Sequence, residues 1–447
     1  MIYDLAIMGD KVWDGESQTF KSALILIKDV YIEKVADLEA EVNAKRVIDA
    51  TGLVVSPGFI DTHMHVDEDP SDPYTVQKLL LLQGVTTGIS GNCGSGALVR
   101  EIEKVVKDKY INLGFLTGHR ALRESIGIND PYRCASPSEI EAMREILREE
   151  LRHGSFGFSL GLEYTPYVDK DEIYGLAWVL REFERRFISI HIRYDGPRCI
   201  EAVKEAISLA KDVKVRVIIS HLGSMTAFGY SKEALRLIEE AISEGVDLRF
   251  DSYPYSAFCT YIGSAVFDPG FEERWGKGLE YIEVASGSFR GRRLDPELFS
   301  FLRQNAPETL VVAHVMNEDE MRLCILHPMC AIASDAVIRG GWGHPRASGA
   351  FPRALLWLRE AGFSWEEALR HATTIPADNA FMEYRGKIKE GFYADITIFD
   401  PKEFKDMATF KEPLASPKGI RYVVVNGKVS VEDGKIIEPP EGKIIRR

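Results

Sequence analysis

Long apolar runs, paired cysteines and an excess of positive charge are all missing from this 447-residue chain. No stretch approaches the roughly 20 apolar residues that a membrane-spanning helix requires, which excludes a helical membrane anchor. The six cysteines, at positions 93, 134, 199, 259, 324 and 330, are scattered and never fall into a CxxC pair. That spacing excludes a disulfide framework and points to a reducing compartment. The formal net charge is −13. A nucleic acid or an anionic membrane surface needs a basic face, so neither is expected as a partner. The first residues, MIYDLAIMGDKVWDGE, carry acids where a secretory signal carries bases, and the expected location is cytoplasmic.

What remains is the composition of a globular protein, 45% hydrophobic and 28% charged, long enough for one large domain and a smaller one. Both ends read as short strands punctuated by turns, with Asn426-Gly427 and Asp433-Gly434 as hairpin signals. Residues 1–56 and 385–447 are therefore expected to build one composite β-sandwich. The middle, 57–384, alternates eight apolar strands with amphipathic helices, the pattern of a (β/α)8 TIM barrel. Ser136-Pro137-Ser138-Glu139 reads as a capped helix start, and Asp169 with Glu172 repeats the logic. A long segment at about 262–326 interrupts the rhythm between the seventh and eighth strands, where a lid over the catalytic face is expected.

The polar residues concentrate where the expected strands end. Strand one closes with Asp61, His63 and His65, strand two with Cys93, strand three with His119. Strand four gives Glu163 and Tyr164, strand five His191, strand six His221, strand seven Asp251 and Tyr253, strand eight Asp335. In such barrels the carboxyl ends of the strands form the active face. Residues two apart on a strand share a side, so His63 and His65 can approach one ion together. His191 and His221 are thirty residues apart, one β/α repeat, which sets them side by side. Imidazole and thiolate are the donors that zinc prefers, and glycines around Cys93 let backbone approach closely. Cys93 also fits an ordinary buried thiol, and Asp335 fits either a helix cap or a carboxylate that moves protons beside a metal.

Segments that carry these residues, PGFIDTHMHVD, GVTTGISGNCG, GFSLGLEYTP, HIRYDG, SHLG, DSYPY, ASDA and HPRASGAFPR, together with GKIKEGFYADITIFDP, run in one order along nearly the whole chain. In that order they resemble the amidohydrolase superfamily, and within it the N-acyl-D-amino-acid deacylase (D-aminoacylase) group. The resemblance implies one tight Zn2+ at Cys93, His191 and His221, and a weaker second position at His63 and His65. It implies Asp335 as acid and base, with Arg346, Tyr164, Tyr253 and His119 against a small N-acyl amino acid. The strand-four segment has no lysine that could bridge two metals, which sets it apart from hydantoinase- or dihydroorotase-like cyclic amidases and from dipeptidase-like relatives. One departure is Gly223, two residues after His221, where a lysine is common in the group. A noncatalytic scaffold, the remaining alternative, would be expected to have lost ligands that this chain keeps. For Arg346 the competing reading is an ion pair with the acidic lid at Glu272 and Glu273.

Overall fold

The computed structural model describes residues 2–40, 42–69, 71–95 and 98–447. Its centre consists of short buried parallel strands. In chain order these are β1 (Phe59–Asp61), β2 (Val85–Ser90), β3 (Asn112–Phe115), β4 (Gly157–Gly161), β5 (Phe187–His191), β6 (Arg216–Ile219), β7 (Leu248–Ser252) and β8 (Ala331–Ile332). One sheet has the order β1-β2-β3. A second runs β8-β7-β6-β5-β4 and ends on Thr117–Gly118, the continuation of β3. Backbone hydrogen bonds cross both gaps between the sheets. Asp335 N donates to His63 O at 2.8 Å and His65 N to Ala336 O at 2.9 Å; on the other side Phe156 N, just before β4, donates to Phe115 O of β3 at 2.8 Å. Register places Gly161 opposite His191 and Ile190 opposite Ile219, so successive strand ends finish at one level.

The helices start where local chemistry dictates. Ser136 and Glu139 form a reciprocal capping box ahead of Pro137–His153, and Gly154 ends that helix in the left-handed region. Asp169 accepts from Glu172 N at the head of Lys170–Ala177.

Strand one, expected to close with His63 and His65, ends at Asp61 in the structure, and the apolar run that leads into it is divided between two sheets. Val54–Pro57 pairs antiparallel with Ile396–Phe399, whereas Phe59–Asp61 joins the parallel set. The break falls at Gly58, where a Cβ would collide with the Thr86 side chain. Strands from both ends of the chain form one nine-stranded sheet, in which Val54–Pro57 links Tyr3–Val12 to the C-terminal strands. Its apolar cluster includes Ile7, Ile25, Ile27, Val55, Ile396 and Val424, each fully or almost fully buried. Burying one such side chain contributes about 2 kcal/mol. Asn426-Gly427 and Asp433-Gly434 make the expected tight turns, all four residues having positive φ. The last residues leave this sheet and lie along β3, with Leu113 N donating to Lys443 O.

The interruption before β8 begins at Phe258 rather than at 262. Phe258–Tyr261, Leu310–Ala313 and Ile282–Val284 form a small antiparallel sheet, with the short helix Phe271–Trp275 in the same excursion. Among the described residues no helix is long and apolar enough to cross a membrane. All six cysteines are free.

Where the terminal sheet meets the parallel strands, Asp395 is buried beside Arg385 and accepts from Asn426 N at 2.8 Å and from Asn112 Nδ2 at 3.3 Å. Asp395→Ala leaves the Arg385 guanidinium buried without its counter-ion. We expect a loss of about 3–5 kcal/mol in denaturant unfolding; a loss below about 1 kcal/mol would show that this junction does not couple the two parts.

Candidate metal centre

At the carboxyl ends of the strands, Cys93, His191 and His221 each present a donor atom, and the three atoms lie within 4.8 Å of one another. All three side chains are buried. His221 Nδ1 meets Ser224 Oγ at 2.8 Å, which leaves Nε2 facing Cys93 Sγ at 3.4 Å. His191 Nε2 lies 2.9 Å from Glu163 Oε2. A carboxylate only accepts, so Nε2 carries the proton and Nδ1 holds the free lone pair. That Nδ1 is buried and has no hydrogen-bond partner among the described residues. A buried acceptor without a donor is costly, and a bound cation would satisfy it.

The backbone is bent to aim these groups. Cys93 has φ 55° and His221 φ 34°, both in the left-handed region that such residues seldom occupy. Gly94 lies so close to β4 that a Cβ there would sit 2.6 Å from Gly161 N. Below the donors the strand ends are tied together by hydroxyls and an amide: Ser189 Oγ donates to Asn92 Oδ1 at 2.9 Å and lies 2.9 Å from Ser220 Oγ.

A second group of donors adjoins the first. His63, His65, Cys93 and Asp335 also bring ligand atoms within 4.8 Å of one another. Cys93 Sγ is 3.3 Å from His63 Nε2, and Asp335 Oδ1 is 3.1 Å from His65 Nε2 and 3.4 Å from His63 Nε2. Cys93 therefore belongs to both groups. The electrostatics fit a bound cation. Burial, with the Asp335 and Asp251 carboxylates nearby, pushes the Cys93 thiol well above its usual range, so a thiolate there needs positive charge beside it. Burial and the neighbouring His191 hold His221 well below the usual histidine range, in the neutral form that binds metal.

Asp335, at φ 50°, is the carboxylate within the second group. Burial pushes its carboxyl up, but Arg346, the hydrogen bond with His65 and the His63 ring together hold it well below the ordinary range. Arg346 Nη1 sits 2.7 Å from Asp335 Oδ2, and Nη2 donates to Cys259 O at 3.2 Å. The partner of Arg346 is thus Asp335 rather than the lid glutamates. Its guanidinium lies 4.6 Å from the centre of the Tyr253 ring. The Tyr253 hydroxyl is buried and unpartnered among the described residues. Tyr164 Oη reaches Thr260 Oγ1 at 3.1 Å, joining β4 to the excursion.

Cys93, His191, His221, His65, Asp335, Arg346, Tyr253 and Tyr164 line one cavity of about 910 Å³, together with Phe258, Val266 and Leu310 of the excursion. His119 is on its wall at the head of a short helix, with Nε2 at 2.8 Å from Glu172, away from the two donor groups. Other polar contributors had no role assigned from sequence. Asp61 accepts from Ser334 N at 3.1 Å, and burial raises its carboxyl to about 7. Asp251 accepts from His221 N at 2.7 Å. The period-two spacing of Asp61, His63 and His65 was the available signal for the first. Glu163 and Asp251 were visible as rim residues, but pairings between strands were not.

Residues 54–430 match the Amidohydrolase family, and the chain belongs to that family. An N-acyl-D-glutamate deacylase of Alcaligenes xylosoxydans xylosoxydans is 30% identical over 99% of this chain and 96% of its own length. A crystal structure of D-aminoacylase, described as defining a novel subset of amidohydrolases, superposes with a TM-score of 0.89 at 27% identity, covering both chains completely. N-acyl-D-glutamate deacylase from Bordetella bronchiseptica, solved with zinc and a phosphonate mimic of the tetrahedral intermediate, gives 0.87 at 28% identity, again over both whole chains.

If Cys93 joins the two donor groups, Cys93→Ala should lose the tightly held metal, because two of three ligands leave an incomplete shell. Elemental analysis of the purified variant checks this; full zinc content would refute the assignment.

Proposed function

We propose that this chain is a zinc-dependent hydrolase that removes the acyl group from N-acyl-D-amino acids. The observation that carries the reading is the buried His191 Nδ1, unpartnered among the described residues, on a side chain grouped with Cys93 and His221 in a cavity that also holds Asp335 and Arg346. Similarity to two N-acyl-D-amino-acid deacylases over the full length supports the substrate class. We also infer a cytoplasmic protein acting on a small molecule, and a (β/α)8 barrel over 57–384 beside a composite β-sandwich of 1–56 and 385–447. The hydrogen bonds across both gaps between the parallel sheets support closure of that barrel.

Cys93, His191 and His221 would hold the tight zinc, with His63 and His65 offering a weaker second position. Zinc supplies a Lewis acid for the amide carbonyl and brings the ionisation of water into the neutral range. Asp335, kept ionised by Arg346, accepts the proton of the attacking water and delivers it to the leaving nitrogen. The Tyr253 hydroxyl, unpartnered among the described residues, donates to the carbonyl oxygen as charge develops there. Arg346 takes the substrate carboxylate, for which its planar fork is suited. Tyr164 and His119 form the walls that orient the rest of the substrate. β4 carries no lysine to bridge two metals, which favours the linear amide over a cyclic one.

Two outcomes follow from these roles. Asp335→Asn should retain zinc and fold while losing turnover by several orders of magnitude, since the amide is nearly isosteric but cannot take a proton. Near-parental turnover in steady-state assays would move the proton transfer to another group. Arg346→Ala should weaken free-acid substrates more than their neutral amides by about 2–4 kcal/mol in kcat/KM. Equal losses for both would mean that Arg346 acts only through its ion pair with Asp335.

A further inference from the structure

The carboxylate behind His191 is itself held from outside the strands. Glu163 is 7% exposed and uses Oε2 on His191 Nε2 at 2.9 Å. Its other oxygen, Oε1, lies 3.3 Å from Arg274 Nη2. Arg274 belongs to the short helix Phe271–Trp275 of the excursion between β7 and β8. The same guanidinium reaches Asp195 Oδ1 through Nε at 2.5 Å, and the next residue, Trp275, donates from Nε1 to Asp195 Oδ2 at 2.6 Å. Asp195 is 2% exposed and follows β5, the strand that ends in His191. Two nearly buried carboxylates, one after β4 and one after β5, are thus bridged by one arginine from the excursion.

Burial makes this bridge consequential. Two carboxylates at close quarters repel, and removing the cation between them leaves both buried without compensation. Glu163 is also the group that fixes which nitrogen of His191 carries the proton. Any movement of Glu163 changes the direction of the Nδ1 lone pair. Arg274 has a second job inside the excursion, where Nη2 donates to Val266 O at 2.9 Å. Val266 lines the cavity. One side chain therefore connects the excursion's lining of the cavity to the carboxylate behind His191.

We infer that Arg274 is a positioning residue for the metal: through Glu163 it holds His191 in its ligating tautomer and orientation, so that zinc affinity depends on docking of the excursion. The inference rests on the proposed zinc site at Cys93, His191 and His221. Partners that orient metal-binding histidines typically change metal affinity about 10–100-fold when removed.

The test is zinc affinity, measured by competition with a chromophoric chelator on the full-length protein, for the parent, Arg274→Met, Arg274→Lys, Glu163→Gln and the Arg274→Met/Glu163→Gln pair. Arg274→Met should weaken zinc about tenfold, and Arg274→Lys, which keeps a charge within reach, by less. In the Glu163→Gln background Arg274→Met should add less than about twofold, because the route through Glu163 is already broken. Unchanged affinity in Arg274→Met, or the same factor in both backgrounds, would overturn the inference and leave Arg274 a tie within the excursion. Should Arg274→Met not fold, the same comparison runs with Arg274→Lys. Cys93→Ala measured in parallel keeps the two claims apart: full zinc there refutes the site itself, whatever Arg274 does.

Discussion

Donor atoms of Cys93, His191 and His221 lie within 4.8 Å of one another, and His191 Nδ1 meets no hydrogen-bond partner among the described residues. Much of the local structure exists to hold them there. The backbone enters the left-handed region at Cys93 and His221, at a cost of order 1–3 kcal/mol for each such residue. Gly94 and Gly161 let the loop after β2 lie against β4. Ser224 and Glu163 each take one nitrogen of a histidine, so the other is left to bind. The strain, the His191 lone pair left open among the described residues and a thiol whose burial opposes ionisation would all be offset together by a bound cation.

Beside that point the charges are arranged in sequence rather than scattered. Asp335 faces two histidines with one oxygen and Arg346 with the other. The arginine keeps the carboxylate ionised, and the Tyr253 ring lies against the guanidinium. The result is a carboxylate, a guanidinium and a hydroxyl without a partner among the described residues, all buried close together. In the proposed reaction such preorganised groups would need no rearrangement as charge develops. Under that proposal they would serve a linear amide that carries a carboxylate near its scissile nitrogen.

Much of this could be read from the residues in order. The thirty-residue interval set His191 beside His221, as repeat geometry requires; His63 and His65 lie in the chain just beyond β1, which ends at Asp61, so their approach to Asp335 does not come from strand alternation. The hairpin turns at Asn426-Gly427 and Asp433-Gly434 came from residue types that tolerate positive φ. The first strand was read too long because nothing in an apolar run marks Gly58 as a point where the chain passes from one sheet to another. The partner of Arg346 was also hidden. Glu272 and Glu273 are acidic and in the lid, but proximity in space to Asp335 is set by how β8 and the following helix pack, which spacing alone does not encode. The bridge from Arg274 to Glu163 and Asp195 has the same character, joining residues 111 and 79 positions apart.

The central claim is that a thiolate from β2 and two imidazoles from β5 and β6 hold one zinc ion. X-ray absorption at the zinc edge on the purified protein tests it most directly. The account predicts one sulfur neighbour at about 2.3 Å with imidazole nitrogens at about 2.0–2.1 Å. A zinc shell of nitrogen and oxygen alone, with no sulfur, would contradict it.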